Sequence, residues 1–322
     1  MLALADEKGF AAVRLARPES FAWYTGGGDN RVDHAAAQGV AELVVTSDGH
    51  WVVTDNIEAD RLRHEQVPGF EVLERSWHET PEAVVRPLVG DRAVAQEADL
   101  GDALVRLRSV LDAAAQSQYR RVGADARAAM DDVAGRLAPT MTEWEAAAQL
   151  VEACRRRALY APVLMAASHA RLRQYRHPIP GHEPLGDQVM LVVCAERHGL
   201  YANFTRHVFF REPDVETRRR QEACEHILQQ LRSATRPGRT LGEVFGDCQR
   251  LYEEAGFPGE WQHHHQGGLT GYLSREVIAT PTSMMAVELG QAFAWNPSIT
   301  GAKAEETFLL TDAGPEVLTD RP

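Results

Sequence analysis

The chain has 322 residues, 44% of them hydrophobic and 25% charged, with a formal net charge of −12. That length holds a sizeable core and favours two domains over one, and the composition excludes a disordered chain. A net negative charge without clustered Lys and Arg argues against nucleic acid or an anionic membrane as partner, because such surfaces bind by displacing counterions, and it points to a small-molecule or short-peptide ligand.

No run approaches the roughly 18 apolar residues that span a bilayer, and the opening MLALADEKGF carries acidic residues where a signal peptide has basic ones, so a cytoplasmic location is expected. Residues 21–25, 41–46 and 50–54 read as strands, the last two joined by a Ser-Asp-Gly turn that suits a hairpin, and residues 57–65 read as a helix. This mixture predicts a small α/β domain over residues 1–100. From Gly101 the pattern turns helical. Leu104, Leu107, Val110 and Leu111 recur at three- and four-residue steps, and residues 142–160 open on a Thr-Glu pair that suits a helix start. Residues 189–194 and 201–210 read as a hairpin with its turn at 195–200, followed by helices over 214–235 and 241–255 and by apolar strand runs at 293–295 and 307–310. Residues 101–322 form the second domain. Cys154, Cys194, Cys224 and Cys248 form no C-x-x-C pair, which predicts free thiols and no structural zinc site.

Several segments then occur in a telling order. LRSVLDAAAQSQYRRVGADARAAM and APTMTEWEAAAQLVEA are followed by VVCAE ending at Glu196, by Asn203-Phe204-Thr205-Arg206, by His264-His265-Gln266-Gly267-Gly268-Leu269, by Trp295-Asn296-Pro297-Ser298 and by Gly301-Ala302-Lys303-Ala304-Glu305-Glu306-Thr307. The series resembles the catalytic domain of the "pita-bread" superfamily of creatinase, aminopeptidase P, prolidase and methionine aminopeptidase. SFAWYTGG and DNIEADRL resemble the amino-terminal domain of its creatinase and prolidase branches. The resemblance implies a creatinase-like α/β domain followed by a pita-bread α/β domain, in a homodimer.

In the metallopeptidases of that superfamily two Asp, one His and two Glu hold a pair of dications that activate a bridging water. The corresponding positions here are Cys194, Asn203, His265, Asn296 and Glu305, so three carboxylates are gone. At roughly 4 kcal/mol per close charge pair near a protein surface, that loss removes much of what holds two dications together. The expectation is therefore no cofactor and no dinuclear metal. A single zinc on Cys194, His265 and Glu305 remains chemically allowed.

Creatinase has this fold and hydrolyses a C–N bond with a His as proton shuttle in place of metal. His177, in Tyr175-Arg176-His177-Pro178, matches the place of that group. The resemblance thus implies a metal-independent hydrolase or lyase of a small amide, amidine or amino-acid derivative, with His177, His265 and Glu305 catalytic. Substrate contacts are expected from Cys194, Glu196, Asn203, His264, Tyr272, Arg275, Asn296 and Glu306, and from Arg31 in the Gly-rich loop of the first domain. Cys194 beside a His is also a candidate nucleophile, although a buried Cys at a strand end is commonly an apolar filler. A second functional class is a catalytically silent relative of the Xaa-Pro peptidases that binds a peptide or protein in the old cleft; a divergent Xaa-Pro peptidase with an atypical metal site is the third.

Overall fold

A computed structural model describes residues 1–319, which divide between two compact units, 1–108 and 109–319. In the first unit, β1 (Ala12–Leu15), β2 (Glu42–Thr46), β3 (Gly49–Asp55), β4 (Glu71–Arg75) and β5 (Val94–Gln96) form one sheet in the order β4-β3-β2-β1-β5. β2 and β3 make the expected antiparallel hairpin, while β4 and β5 pair in parallel with β3 and β1. Val13, Leu15, Leu43, Val45 and Val52 feed one apolar cluster and Ala12, Val44 and Val53 another. Successive residues of a strand point to opposite faces, so this sheet is covered on both, which explains why its strands read as continuous apolar runs.

Residues 21–25, expected as a strand, lie in a helix, Pro18–Thr25. The aromatic run has strand character, but its flanks decide. Pro18 takes the first helical turn, where its missing N–H is no loss, and Gly26 ends the helix at φ 72°, a conformation that only Gly adopts at little strain.

The second unit opens with a long helix, Ala113–Ala134, capped by the Asp112 side chain, and a shorter one, Glu143–Arg155, started by a reciprocal Thr142–Glu145 capping box. The helix expected over 142–160 therefore stops early. Ala158 turns the chain at φ 53°, and β6 (Tyr160–Ser168), absent from the sequence reading, pairs antiparallel with β7 (Gln188–Arg197). Pro162 lies where the register of that pairing slips, a place that tolerates a residue without an N–H. β7 pairs along its whole length with β8 (Leu200–Phe209), and the turn shrinks to His198-Gly199, both at positive φ. That is the geometry of a tight hairpin turn that follows the strand twist.

β9 (Gly267–Thr270), β10 (Val277–Ile278), β11 (Ala292–Trp295), β14 (Glu306–Thr311) and β15 (Gly314–Val317) make an antiparallel sheet in the order β10-β9-β11-β14-β15, and β12 (Ser298–Ile299) pairs with β13 (Ala302–Lys303). Leu231 and Phe245, from the helices Val215–Ala234 and Leu241–Glu254, pack with Phe293, Trp295 and Phe308 in one buried core. The two larger sheets of this unit are joined through Asn203 and Thr307: the Asn203 N–H donates to Thr307 Oγ1 at 2.8 Å, and that hydroxyl donates back to the Asn203 carbonyl at 2.9 Å. This clasp brings the β7–β8 hairpin against Glu305. No helix of the described residues is long and apolar enough to cross a membrane.

Candidate active site

A cavity of about 390 Å³ opens in the second unit. β6 supplies an apolar wall of Pro162, Val163, Leu164 and Met165, and β7 adds Val192 and Cys194, which are two residues apart and so share a face. The polar wall is His177, His265, Ser274, Arg275, Asn296, Lys303 and Glu305.

Glu305 is the centre of its charge. Lys303 Nζ lies 2.8 Å from Glu305 Oε2, Arg275 Nη2 lies 2.7 Å from Oε1, and the Thr205 hydroxyl donates to Oε2 at 2.9 Å. Lys303 and Glu305 stand two apart in the chain and are each 5% exposed, so both charges sit inside protein, where each needs the other. Burial by itself would raise the Glu305 pKa, but Lys303 and Arg275 outweigh it and hold the carboxyl well below the usual carboxylate range. The backbone behind Lys303 is also fixed. His207 Nε2 donates to its carbonyl at 3.1 Å, Gln188 Nε2 meets His207 Nδ1 at 2.8 Å, and His169 Nδ1 meets Gln188 Oε1 at 2.9 Å.

The imidazoles are brought together from two segments. His177 sits on the loop after β6, which the buried Glu143 carboxylate frames by accepting from the N–H groups of Ser168 (2.7 Å) and Gly181 (2.8 Å). Its neighbour Arg176 pairs with Glu260 and donates to Thr300 Oγ1 at 3.0 Å. Glu260 begins the short 3₁₀ turn Glu260–His263 that leads into His264 and His265, so this ion pair ties the two imidazole-bearing segments together. His177 Nε2 and His264 Nε2 are 2.8 Å apart, and the His177 and His265 ring centroids are 6.4 Å apart. Burial lowers all three imidazole pKa values, to about 4 for His265 with a further push from Arg275, and to about 3 for His264. All three rings are neutral at pH 7. Asn296 Oδ1, His265 Nδ1 and Arg275 Nε are buried with no hydrogen-bond partner in the protein.

Residues 117–312 match the profile of metallopeptidase family M24, and residues 1–156 match that of the creatinase/prolidase N-terminal domain. The chain belongs to metallopeptidase family M24. No curated protein matches the sequence. Among solved structures, a dipeptidase from Pyrococcus horikoshii superposes with TM-score 0.83 at 17% identity, covering 100% of this chain and 97% of that one. A prolidase from Pyrococcus furiosus gives 0.79 at 16%, with both chains covered in full, and the N-terminal domain of the FACT complex subunit SPT16 from chickpea gives 0.72 at 12%, covering 99% and 94%. These likenesses establish the pita-bread fold and leave the chemistry to the site.

The M24 dinuclear centre does not fit the residues present. Of the five corresponding positions only His265 and Glu305 keep a ligand of the family's type, and both Glu305 oxygens are already held by protein cations. Burial, reinforced by Glu305, pushes the Cys194 thiol up to about 12, far from the thiolate that a nucleophilic role requires. Geometry does not favour the zinc considered for Cys194, His265 and Glu305: among the described residues, the group of three His, Cys, Asp or Glu side chains close enough to share an ion is His177, His264 and His265.

Of the expected site residues, His177, Cys194, His265, Arg275, Asn296 and Glu305 line the cavity. Glu196 does not, because Oε1 accepts from the Gly199 N–H at 2.7 Å and closes the hairpin turn. Asn203 lies opposite Cys194 in the strand register, but its side chain donates to Thr270 Oγ1 at 3.1 Å beneath the site. Tyr272 is buried, with its N–H on Glu276 Oε1 at 3.1 Å. Glu306 does not line the cavity, and accepts from Arg232 at 2.7 and 2.9 Å. Arg31 lies in the first unit, with Nε and Nη2 on the Asp29 carboxylate at 2.8 and 3.0 Å. His264 reaches the site through His177. Lys303 and Thr205 were missed. The signal for Lys303 was its place two residues before Glu305, at the end of β13.

Proposed function

We propose that this M24 chain is a hydrolase, or lyase, that breaks a C–N bond of a small amide, amidine or amino-acid derivative without the dinuclear metal centre of its peptidase relatives. The observation that carries this reading is the Lys303–Glu305–Arg275 cluster. Two protein cations stand on the one carboxylate left from the metal-binding set. With neutral imidazoles and a neutral thiol around it, the cavity holds two positive charges to one negative, which suits a ligand bearing a carboxylate. The apolar wall of β6 takes the rest of such a ligand. The unpartnered Asn296 Oδ1 and Arg275 Nε are an acceptor and a donor for it to satisfy.

In hydrolysis on these groups, one neutral imidazole of the His177 and His265 pair takes a proton from water as the oxygen attacks the carbon. The resulting imidazolium then gives that proton to the departing nitrogen, leaving the ring neutral again. Negative charge developing on the carbonyl or amidine carbon's substituent is met by the ammonium and guanidinium already in place.

The test is an assay of chelator-treated protein on N-acyl and amidino amino acids, alongside Xaa-Pro dipeptides with and without manganese or cobalt. C–N hydrolysis that survives chelation and falls by on the order of 10²–10⁴ in His177→Asn is the expected result. Xaa-Pro cleavage that appears only with added metal and disappears in Glu305→Gln would overturn the reading, as would the absence of turnover on either panel, which favours the silent, partner-binding class.

A further inference from the structure

We propose that His177, His264 and His265 form a site for one divalent transition-metal ion of zinc-like chemistry, beside the Lys303–Glu305–Arg275 cluster and independent of it. One ring nitrogen from each residue lies within 4.8 Å of the others, and the His264 ring centroid is 4.6 Å from that of His177 and 4.4 Å from that of His265.

The hydrogen bonds set the tautomers such a site needs. His264 Nδ1 contacts the His265 carbonyl, and a carbonyl oxygen can only accept, so Nδ1 carries the hydrogen and Nε2 of the neutral ring presents its lone pair. A metal-bound imidazole is held in the same way, with its second nitrogen donating to a backbone carbonyl. That lone pair faces His177 Nε2 at 2.8 Å, where either the His177 proton or a shared cation must sit. His265 contributes a further imidazole whose Nδ1 is buried with no partner at all.

The supports are rigid. Buried Gln266 donates from Nε2 to the carbonyls of His264 (2.6 Å) and Trp261 (3.0 Å) and accepts from the Tyr252 hydroxyl at 2.7 Å, which fixes the backbone that presents both rings. Two nitrogens on a tetrahedral zinc stand ~3.4 Å apart, given Zn–N bonds of ~2.0–2.1 Å. The His177–His264 gap therefore opens by about half an ångström, and His177, the exposed member, has room to turn.

Three neutral nitrogens and no carboxylate select the ion. Zinc, cobalt, nickel and copper bind imidazole strongly, whereas magnesium, calcium and manganese need oxygen ligands and charge. The nearby excess of positive charge from Lys303 and Arg275 works against any dication, and most against those held by charge alone. Binding stands on this geometry by itself. Its consequence rests on the reading of His177 and His265 as proton carriers: an ion that takes their lone pairs removes the base and arrests hydrolysis.

The experiment is a zinc titration of metal-stripped, full-length protein against a chromogenic chelator, with X-ray absorption at the zinc edge of the loaded wild type. The expected result is one tight equivalent with imidazole scattering and no sulfur, weakened at least about 10-fold in His264→Asn and in His177→Asn and unchanged in His263→Asn. Absence of a tight site, a site unaffected by His264→Asn, or sulfur in the first shell would overturn the proposal; the absorption measurement needs no variant and so decides even where a variant misfolds. Zinc bound as described by a protein that hydrolyses nothing would sink the hydrolase reading and leave the metal site standing.

Discussion

Lys303 is a buried ammonium whose removal leaves Glu305 with a single cation. Breaking such a buried pair from one side costs about 3–5 kcal/mol, so Lys303→Met should lose that much in chemical denaturation, and adding Glu305→Gln should recover part of it, a coupling that a double-mutant cycle reads directly. His207 makes a second test at this scale. Burial pushes its pKa down to about 4, with the hydrogen bond to the Lys303 carbonyl opposing and the Lys303 charge adding to the shift. The folded-state value lies below the unfolded value near 6.5, so the unfolded chain binds the proton more readily, and stability present above pH 6.5 is lost as the pH falls towards 4. The melting temperature should drop across that window, and less so in His207→Gln. His265 and Glu305 were legible in the sequence because each sits in a short motif with fixed neighbours. The Lys303–Arg275 clamp was not, because its geometry depends on the contact of Arg275 with Glu305, 30 residues apart in the chain, and spacing says nothing of which cation turns towards a carboxylate.

The elements that hold these residues were read best where capping and periodicity agree. The Thr-Glu pair at 142–143 announced its helix, which the Thr142–Glu145 box starts, and Thr142→Ala should destabilise the protein by about 1 kcal/mol, measurable as a shift in denaturation midpoint. Where the two signals conflict, the caps prevailed: FAWYT has strand composition, yet Pro18 and Gly26 make it helical. β6 escaped notice because Pro162 interrupts it and its outer residues face the cavity instead of a core. The loop that follows depends on one ion pair. Arg176→Ala should leave the His177 imidazole chemically intact but free to wander, lowering kcat/KM on the order of 10–100-fold, and Arg176→Lys should restore little, since one ammonium cannot span Glu260 and Thr300 as the guanidinium fork does. A purely structural role would instead follow the melting temperature and be rescued by any variant that refolds.

At the scale of the whole molecule, a backbone that follows a dipeptidase at TM-score 0.83 carries a different set of charges where the family places metal. The order of the motifs made the fold legible from sequence even at such low identity, because the backbone tolerates exchange of the residues that line its cleft. If no dication holds this unit together, chelation should leave the melting temperature unchanged, while zinc at about 100 times its wild-type dissociation constant should add about 2.7 kcal/mol to the wild type and no more than about 1.4 kcal/mol to His264→Asn. The Lys303–Glu305 pair has one more consequence. An enzyme that borrows its positive charge from solution works only as well as it is supplied, and accepts whichever ion arrives first. Here the charge is spelled in the gene: it is delivered with each copy of the chain, at fixed stoichiometry, and starvation for metal or flooding with the wrong one leaves it in place.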